Sequence, residues 1–148
     1  MPIPWDTDVD VGVWISDWKP EIVERLLMDG FTHDNTVGTT TTGLTERLYY
    51  KDVRMDIHFY YRDEENDQVF IQTYDHDGRS YRESWTPFVL HPAEVFGMVV
   101  NVPADYELYL KEGYGGYMIK RTKNFGWHQW DSMTSPPNSG PGTLHREL

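Results

Sequence analysis

From Asp8 to Ile15 the sequence reads DVDVGVWI, in which Val9, Val11, Val13 and Ile15 alternate with Asp8, Asp10, Gly12 and Trp14. A period of two sends successive side chains to opposite faces. The stretch is therefore predicted to be a β-strand with one apolar face and one carboxylate face. That pattern commits the chain to a sheet with a buried side. Asp6 extends the acidic series two residues toward the start. Carboxylates this close repel and raise one another's pKa unless water or a cation separates them.

A second stretch has the same grammar. In KDVRMDIHFYY, Met55, Ile57 and Phe59 alternate with Arg54, Asp56, His58 and Tyr60. Asp56 is thus expected on the polar face of a strand whose other face is buried. If the two strands are neighbours, Asp8, Asp10 and Asp56 converge. Hard oxygen ligands suit Mg²⁺ or Mn²⁺, which bind through a few carboxylates together with substrate phosphates. Such ions can neutralise a transferring phosphoryl group while a carboxylate takes the proton of the attacking hydroxyl. The plainer alternative is a row of solvated aspartates outside a sheet, because a D-x-D alone is a weak signal. A calcium loop is excluded: its obligatory glycine falls on Val11 and its final glutamate on Asp17.

Around these strands the spacing predicts a short amphipathic helix over Lys19 to Asp29, with Pro20 in the first turn and Gly30 at the end. The Thr/Gly-rich HDNTVGTTTTGL reads as a turn or loop. Further strands are expected at Glu46 to Tyr50, Val53 to Tyr61, Val69 to Tyr74 and Ser84 to Leu90, joined by RDEENDQ and the turn DHDG. A last helix is expected from Pro103 to Glu112, stopped by Gly113. The fold class is α+β, with a mainly antiparallel or mixed sheet and a few helices. One domain over residues 1–132 and a disordered polar Pro/Gly-rich tail over 133–148 are expected from a chain of 148 residues.

Composition narrows the partners. A formal net charge of -11 argues against nucleic acid or an anionic membrane as a general target. Without cysteine there is no disulfide, zinc-thiolate site or thiol nucleophile. No apolar run approaches the roughly 20 residues that span a bilayer, and no signal-peptide pattern opens the sequence. The expectation is a soluble, cytoplasmic protein.

Taken together, PWDTDVDVGVWISD, MDGFTHDN, VRMDIHFYY and FVLHPAEVFGMVVNVPADYELYLKEGYG resemble, in order and spacing, the motifs of the LicD family. The resemblance covers roughly Pro2 to Gly116. It implies a nucleotidyltransferase-like fold and the transfer of a phosphorylated alcohol, phosphocholine- or phosphoribitol-like, from a CDP-linked donor to a glycan hydroxyl. It places the paired metal-binding aspartates on Asp8 and Asp10 and the third carboxylate on Asp56, with Mg²⁺ or Mn²⁺ as cofactor. Asp6 takes a supporting role at the substrate. A departure accompanies it: the strand, helix and Gly-Gly or Gly-Ser motif that precede the D-x-D strand in that fold have no counterpart here. That absence implies an incomplete N-terminal part, with a second chain as one source of the missing elements. It also keeps open a different class, an inactive module that binds glycan or protein.

Other residues divide between site and scaffold. Arg47 and Arg54 can meet a donor phosphate with a fork of N–H groups, or pair with Glu46 and Asp52 at the surface. His58 shares the face of Asp56 and is a candidate substrate or metal contact, or a hydrogen-bonded structural histidine. His33 and Asp34, and Asp75, His76 and Asp77 in the DHDG turn, are lesser candidates. Tyr114, Tyr117 and FGWHQW offer stacking surfaces or core packing. Lys120, Arg121 and Lys123 form a basic cluster best read as a solvated loop.

Overall fold

A computed structural model describes residues 7–74 and 78–114. Asp6, the DHD of the DHDG turn, Tyr117, the basic cluster, FGWHQW and the expected tail over 133–148 lie outside those residues.

The described elements run β1 (Asp8–Trp14), a 3-10 turn (Ile15–Asp17), α1 (Glu21–Met28), β2 (Thr32–Thr39), β3 (Gly43–Tyr50), β4 (Val53–Asp63), β5 (Gln68–Tyr74), β6 (Ser80–Trp85), β7 (Leu90–Val95), β8 (Met98–Pro103) and α2 (Tyr106–Tyr114). The class is α+β, with a mixed but mostly antiparallel sheet. The six-stranded sheet has the order β2-β3-β4-β5-β6, with β1 paired to β4, and β7 and β8 form a separate two-stranded sheet. The described residues divide into two compact units, one holding β1 to β4 with most of β5 and β6, the other holding β7, β8 and α2.

In the first unit, β1 lies parallel to β4, and residues 15–52 make the crossover that a parallel pair requires. Part of that crossover is α1, which ends as its sequence predicts. Gly30 takes φ +94°, its N–H donates to the Leu27 carbonyl and that of Phe31 to the Leu26 carbonyl. This left-handed glycine cap satisfies carbonyls that the helix end leaves open. Ile22, Val23 and Leu26 pack with Val13, Trp18 and Phe31 against buried Leu44, Leu48, Ile57 and Phe59. The core thus lies on one face of β3 and β4, the face their alternation marks as apolar.

Three expectations shift. The last helix starts later and runs through its expected stop: Pro103 ends β8, and α2 is Tyr106–Tyr114 with Gly113 buried inside it. HDNTVGTTTTGL is not a loop: most of it is β2, antiparallel to β3, with the hairpin closed through Gly38 and Gly43. A Cβ on Gly38 would stand 1.6 Å from the Gly43 carbonyl oxygen, so the turn excludes a side chain there. The strand expected at Ser84 to Leu90 is β6, four residues earlier, and Leu90 opens β7.

The second unit carries β7, β8 and α2. Trp85 stacks on Tyr109 with ring centroids 5.2 Å apart, and Phe88 meets the same ring edge-on at 5.5 Å. Asp105 caps α2 by accepting the Leu108 N–H at 3.0 Å. The carboxylate of Glu112 accepts from both the N–H and the hydroxyl of Thr86. Among the described residues no helix is long and apolar enough to cross a membrane.

Candidate functional site

Register decides the site. Along the parallel pair, Asp8 lies opposite Arg54, Asp10 opposite Asp56, Gly12 opposite His58 and Trp14 opposite Tyr60. Across the antiparallel pair, Arg47 lies opposite Asp56 and Thr45 opposite His58. Residues directly opposite share a face. The polar side chains of three strands therefore meet on the side of the sheet away from the apolar core.

Asp56 is at the centre, its side chain only 6% exposed. A buried carboxylate is costly unless charge and hydrogen bonds match it. Arg47 supplies the match with a fork: Nε donates to Oδ1 at 3.1 Å and Nη2 to Oδ2 at 3.2 Å. That hydrogen bond holds the Arg47 pKa above the ordinary value against the opposing pull of burial. Arg54 adds a second cation, its Nε 3.5 Å from Asp56 Oδ1 and its Nη2 paired with Asp8.

Asp10 faces Asp56 with its side chain 61% exposed, so this carboxylate opens to solvent. His58 completes a triangle. Its Nε2 lies 3.3 Å from Asp10 Oδ1, and its Nδ1 lies 3.3 Å from Thr45 Oγ1, which fixes the ring's orientation. One ligand atom each from Asp10, Asp56 and His58 lies within 4.8 Å of the others. Two carboxylates and an oriented imidazole are a donor set that fits a divalent cation, Mn²⁺ more readily than an all-oxygen ion such as Mg²⁺.

Of the sequence candidates, Asp10, Asp56, Arg47 and His58 come together. Asp8 lies on the same face, one rung away, and is held by Arg54 rather than joining the triangle. Asp6 lies outside the described residues. His33 is in β2 and binds buried Glu46 at 2.9 Å on the core side. Tyr114 ends α2.

Thr45 and Glu83 escaped the sequence reading. Burial pushes the Glu83 carboxyl above its usual pKa, the nearby His58 pulls it down and Asp10 pushes it further up. A correctly placed β6 would have exposed Glu83 to view. Thr45 is opposite His58 only through the β3–β4 register.

The model of the family described as LicD/FKTN/FKRP, nucleotidyltransferase domain, matches residues 1–105. Among curated proteins the chain is similar to "Ribitol-5-phosphate transferase FKTN" of Mus musculus, Macaca fascicularis and Homo sapiens. Each is 30% identical over 144 residues, covering 96% of this chain and 30% of the relative. The chain thus spans about a third of those relatives' length. No solved structure matches it. Both carboxylate strands, with the register that joins them, fall inside the matched span, and the chain belongs to the LicD/FKTN/FKRP nucleotidyltransferase-domain family.

Proposed function

We propose that this chain is the phosphotransfer domain of a LicD-type transferase. It moves phosphoribitol, in preference to phosphocholine, from a CDP-linked donor to a hydroxyl on a glycan. The observation that carries the reading is Asp10 in register with Asp56 on neighbouring parallel strands, with His58 closing the group. The name of the curated relatives, ribitol-5-phosphate transferase, supports the choice of alcohol.

A Mn²⁺ or Mg²⁺ ion at Asp10, Asp56 and His58, with Asp8 alongside, would supply positive charge to the donor's diphosphate. The protein's own groups do the rest. Arg47 and Arg54, now paired with Asp56 and Asp8, present guanidinium forks whose geometry suits phosphate oxygens equally well. In the reaction the acceptor oxygen forms a bond to the alcohol-bearing phosphorus and the bond from that phosphorus to the CMP oxygen breaks. The hydroxyl proton passes to a carboxylate of the site, and CMP leaves. Asp56 is the candidate for that proton or for completing the cation site, and Asp6 for supporting the substrate.

Titration with Mn²⁺ is expected to raise the melting temperature, because a ligand that binds only the folded state stabilises it by mass action. Asp10→Asn with Asp56→Asn should abolish the rise, along with release of CMP from CDP-ribitol in the presence of acceptor glycan. No shift at millimolar Mn²⁺ sinks the catalytic reading. A second reading, an inactive module that binds glycan or protein, draws on the charge balance already met by Arg47 and Arg54. It predicts that Mn²⁺ leaves the affinity for CDP-ribitol unchanged.

A further inference from the structure

The polar face of β1 and β4 does not end at the carboxylates. Two residues beyond the Gly12–His58 rung, Trp14 lies opposite Tyr60, and Arg62 follows on the same face of β4. The three side chains form one cluster. The rings of Trp14 and Tyr60 meet edge-to-face with centroids 6.0 Å apart, and the Arg62 guanidinium lies 5.2 Å from the centroid of Trp14. Tyr60 also leans back along the strand toward the carboxylates. A Cβ on Gly12 would stand 2.7 Å from its ring, so the ring occupies space that only glycine leaves open.

We infer that Trp14, Tyr60 and Arg62 are a platform on which the base of a nucleotide stacks while its diphosphate reaches Asp10, Asp56 and His58. The inference rests on the phosphotransfer reading above and names where the donor's nucleoside goes. Each two-residue step along a strand advances about 6.6 Å, so the Trp14–Tyr60 rung stands about 13 Å from the Asp10–Asp56 rung. The backward lean of Tyr60 shortens that path, and an extended nucleoside diphosphate covers a distance of this order. The chemistry also fits a base. Every nucleobase offers a flat π-face to an aromatic ring, and an arginine stacked on tryptophan adds its charge to the contact. The N–H groups of Arg62, which is exposed, can donate to the ring nitrogen and carbonyl of a pyrimidine.

Calorimetric titration of the full chain with Mn²⁺, using CDP and inorganic pyrophosphate as probes, tests the platform. Wild type should bind CDP more tightly than pyrophosphate. Trp14→Leu and, separately, Arg62→Ala should weaken CDP about 5- to 100-fold while leaving pyrophosphate within about twofold. Arg62 is at the surface, so its variant remains informative if Trp14→Leu fails to fold. Gly12→Ala should act in the same direction by displacing Tyr60. Equal affinity for the two probes overturns the platform, as does a CDP affinity that none of the variants changes. The latter is also the outcome if the aromatic cluster holds the acceptor's sugar ring. If wild type does not bind pyrophosphate, the phosphotransfer reading fails. Cytidine, followed by ligand-observed NMR, then decides the platform alone: binding that the variants abolish keeps it, and no binding overturns it.

Discussion

The two faces of β4 both carry fully buried side chains, yet they are chemically opposed. On one, Ile57 and Phe59 sit with Leu44 and Leu48 under α1, each no more than 4% exposed. On the other, Asp56 is also 4% exposed, yet it is charged and clasped by Arg47. The apolar face is held by transfer of hydrocarbon from water, which is non-directional and tolerates swaps that conserve volume. The polar face is held by directed pairs, and removing one partner strands the other. Burial alone does not separate scaffold from site in this sheet; the partner of each buried group does. Glu46 shows the same rule on the apolar side. It is 4% exposed between Leu44 and Leu48, and His33 and Thr36 satisfy it at 2.9 Å and 2.7 Å.

The comparison breaks most visibly at Phe59. Truncation to alanine leaves a cavity in the packed face and should cost about 3–5 kcal/mol, measured by urea denaturation. Arg47→Ala should cost less, about 1–3 kcal/mol, because Arg47 is partly solvated but leaves Asp56 without its fork. The double variant Arg47→Leu with Asp56→Val sharpens the contrast. Recovery of most of the lost stability would mean that the pair is held for binding rather than for folding, since a buried ion pair is often replaceable by apolar groups. A double variant less stable than either single one would show that the polar face is structural after all.

Much of this contrast was legible in the sequence, and the remainder was hidden for identifiable reasons. The alternation in β1 and β4 announced both faces, and the Pro20 and Gly30 signals bounded α1. The partner of Asp56 was also within reach. Tyr50 pairs with Val53 across a two-residue turn at Lys51 and Asp52, and counting back from that turn sets Arg47 opposite Asp56. β2 was illegible because it ends the order of the sheet and is almost wholly exposed, so it carries no apolar period, only β-branched threonines and the single valine Val37. The parallel register of β1 on β4 spans a long crossover, and no local turn encodes it. Glu83 was lost with the placement of β6, where SYRESW shows no clean alternation.

Glu83 offers the smallest effect and the finest probe of the polar face. Its carboxyl is half-buried near Asp10 and His58, and that partial burial raises its pKa in the folded protein. The folded state therefore holds the proton more tightly than the unfolded chain does. This contribution to stability is fully present below the unfolded pKa and is lost as pH rises through the raised folded value. Glu83→Gln removes the titration. Wild type should gain on the variant as pH falls from neutral toward the carboxylate range. Near pH 8 the variant should melt about 1–3 °C higher, because glutamine carries no charge to desolvate. Differential scanning calorimetry across that range reads both arms. Mn²⁺ should then shrink the gap near pH 8, since a cation beside Asp10 favours the charged form of Glu83. A gap indifferent to Mn²⁺ would place the ion, if it binds, away from Asp10, and would separate the half-buried carboxyl from the site it adjoins.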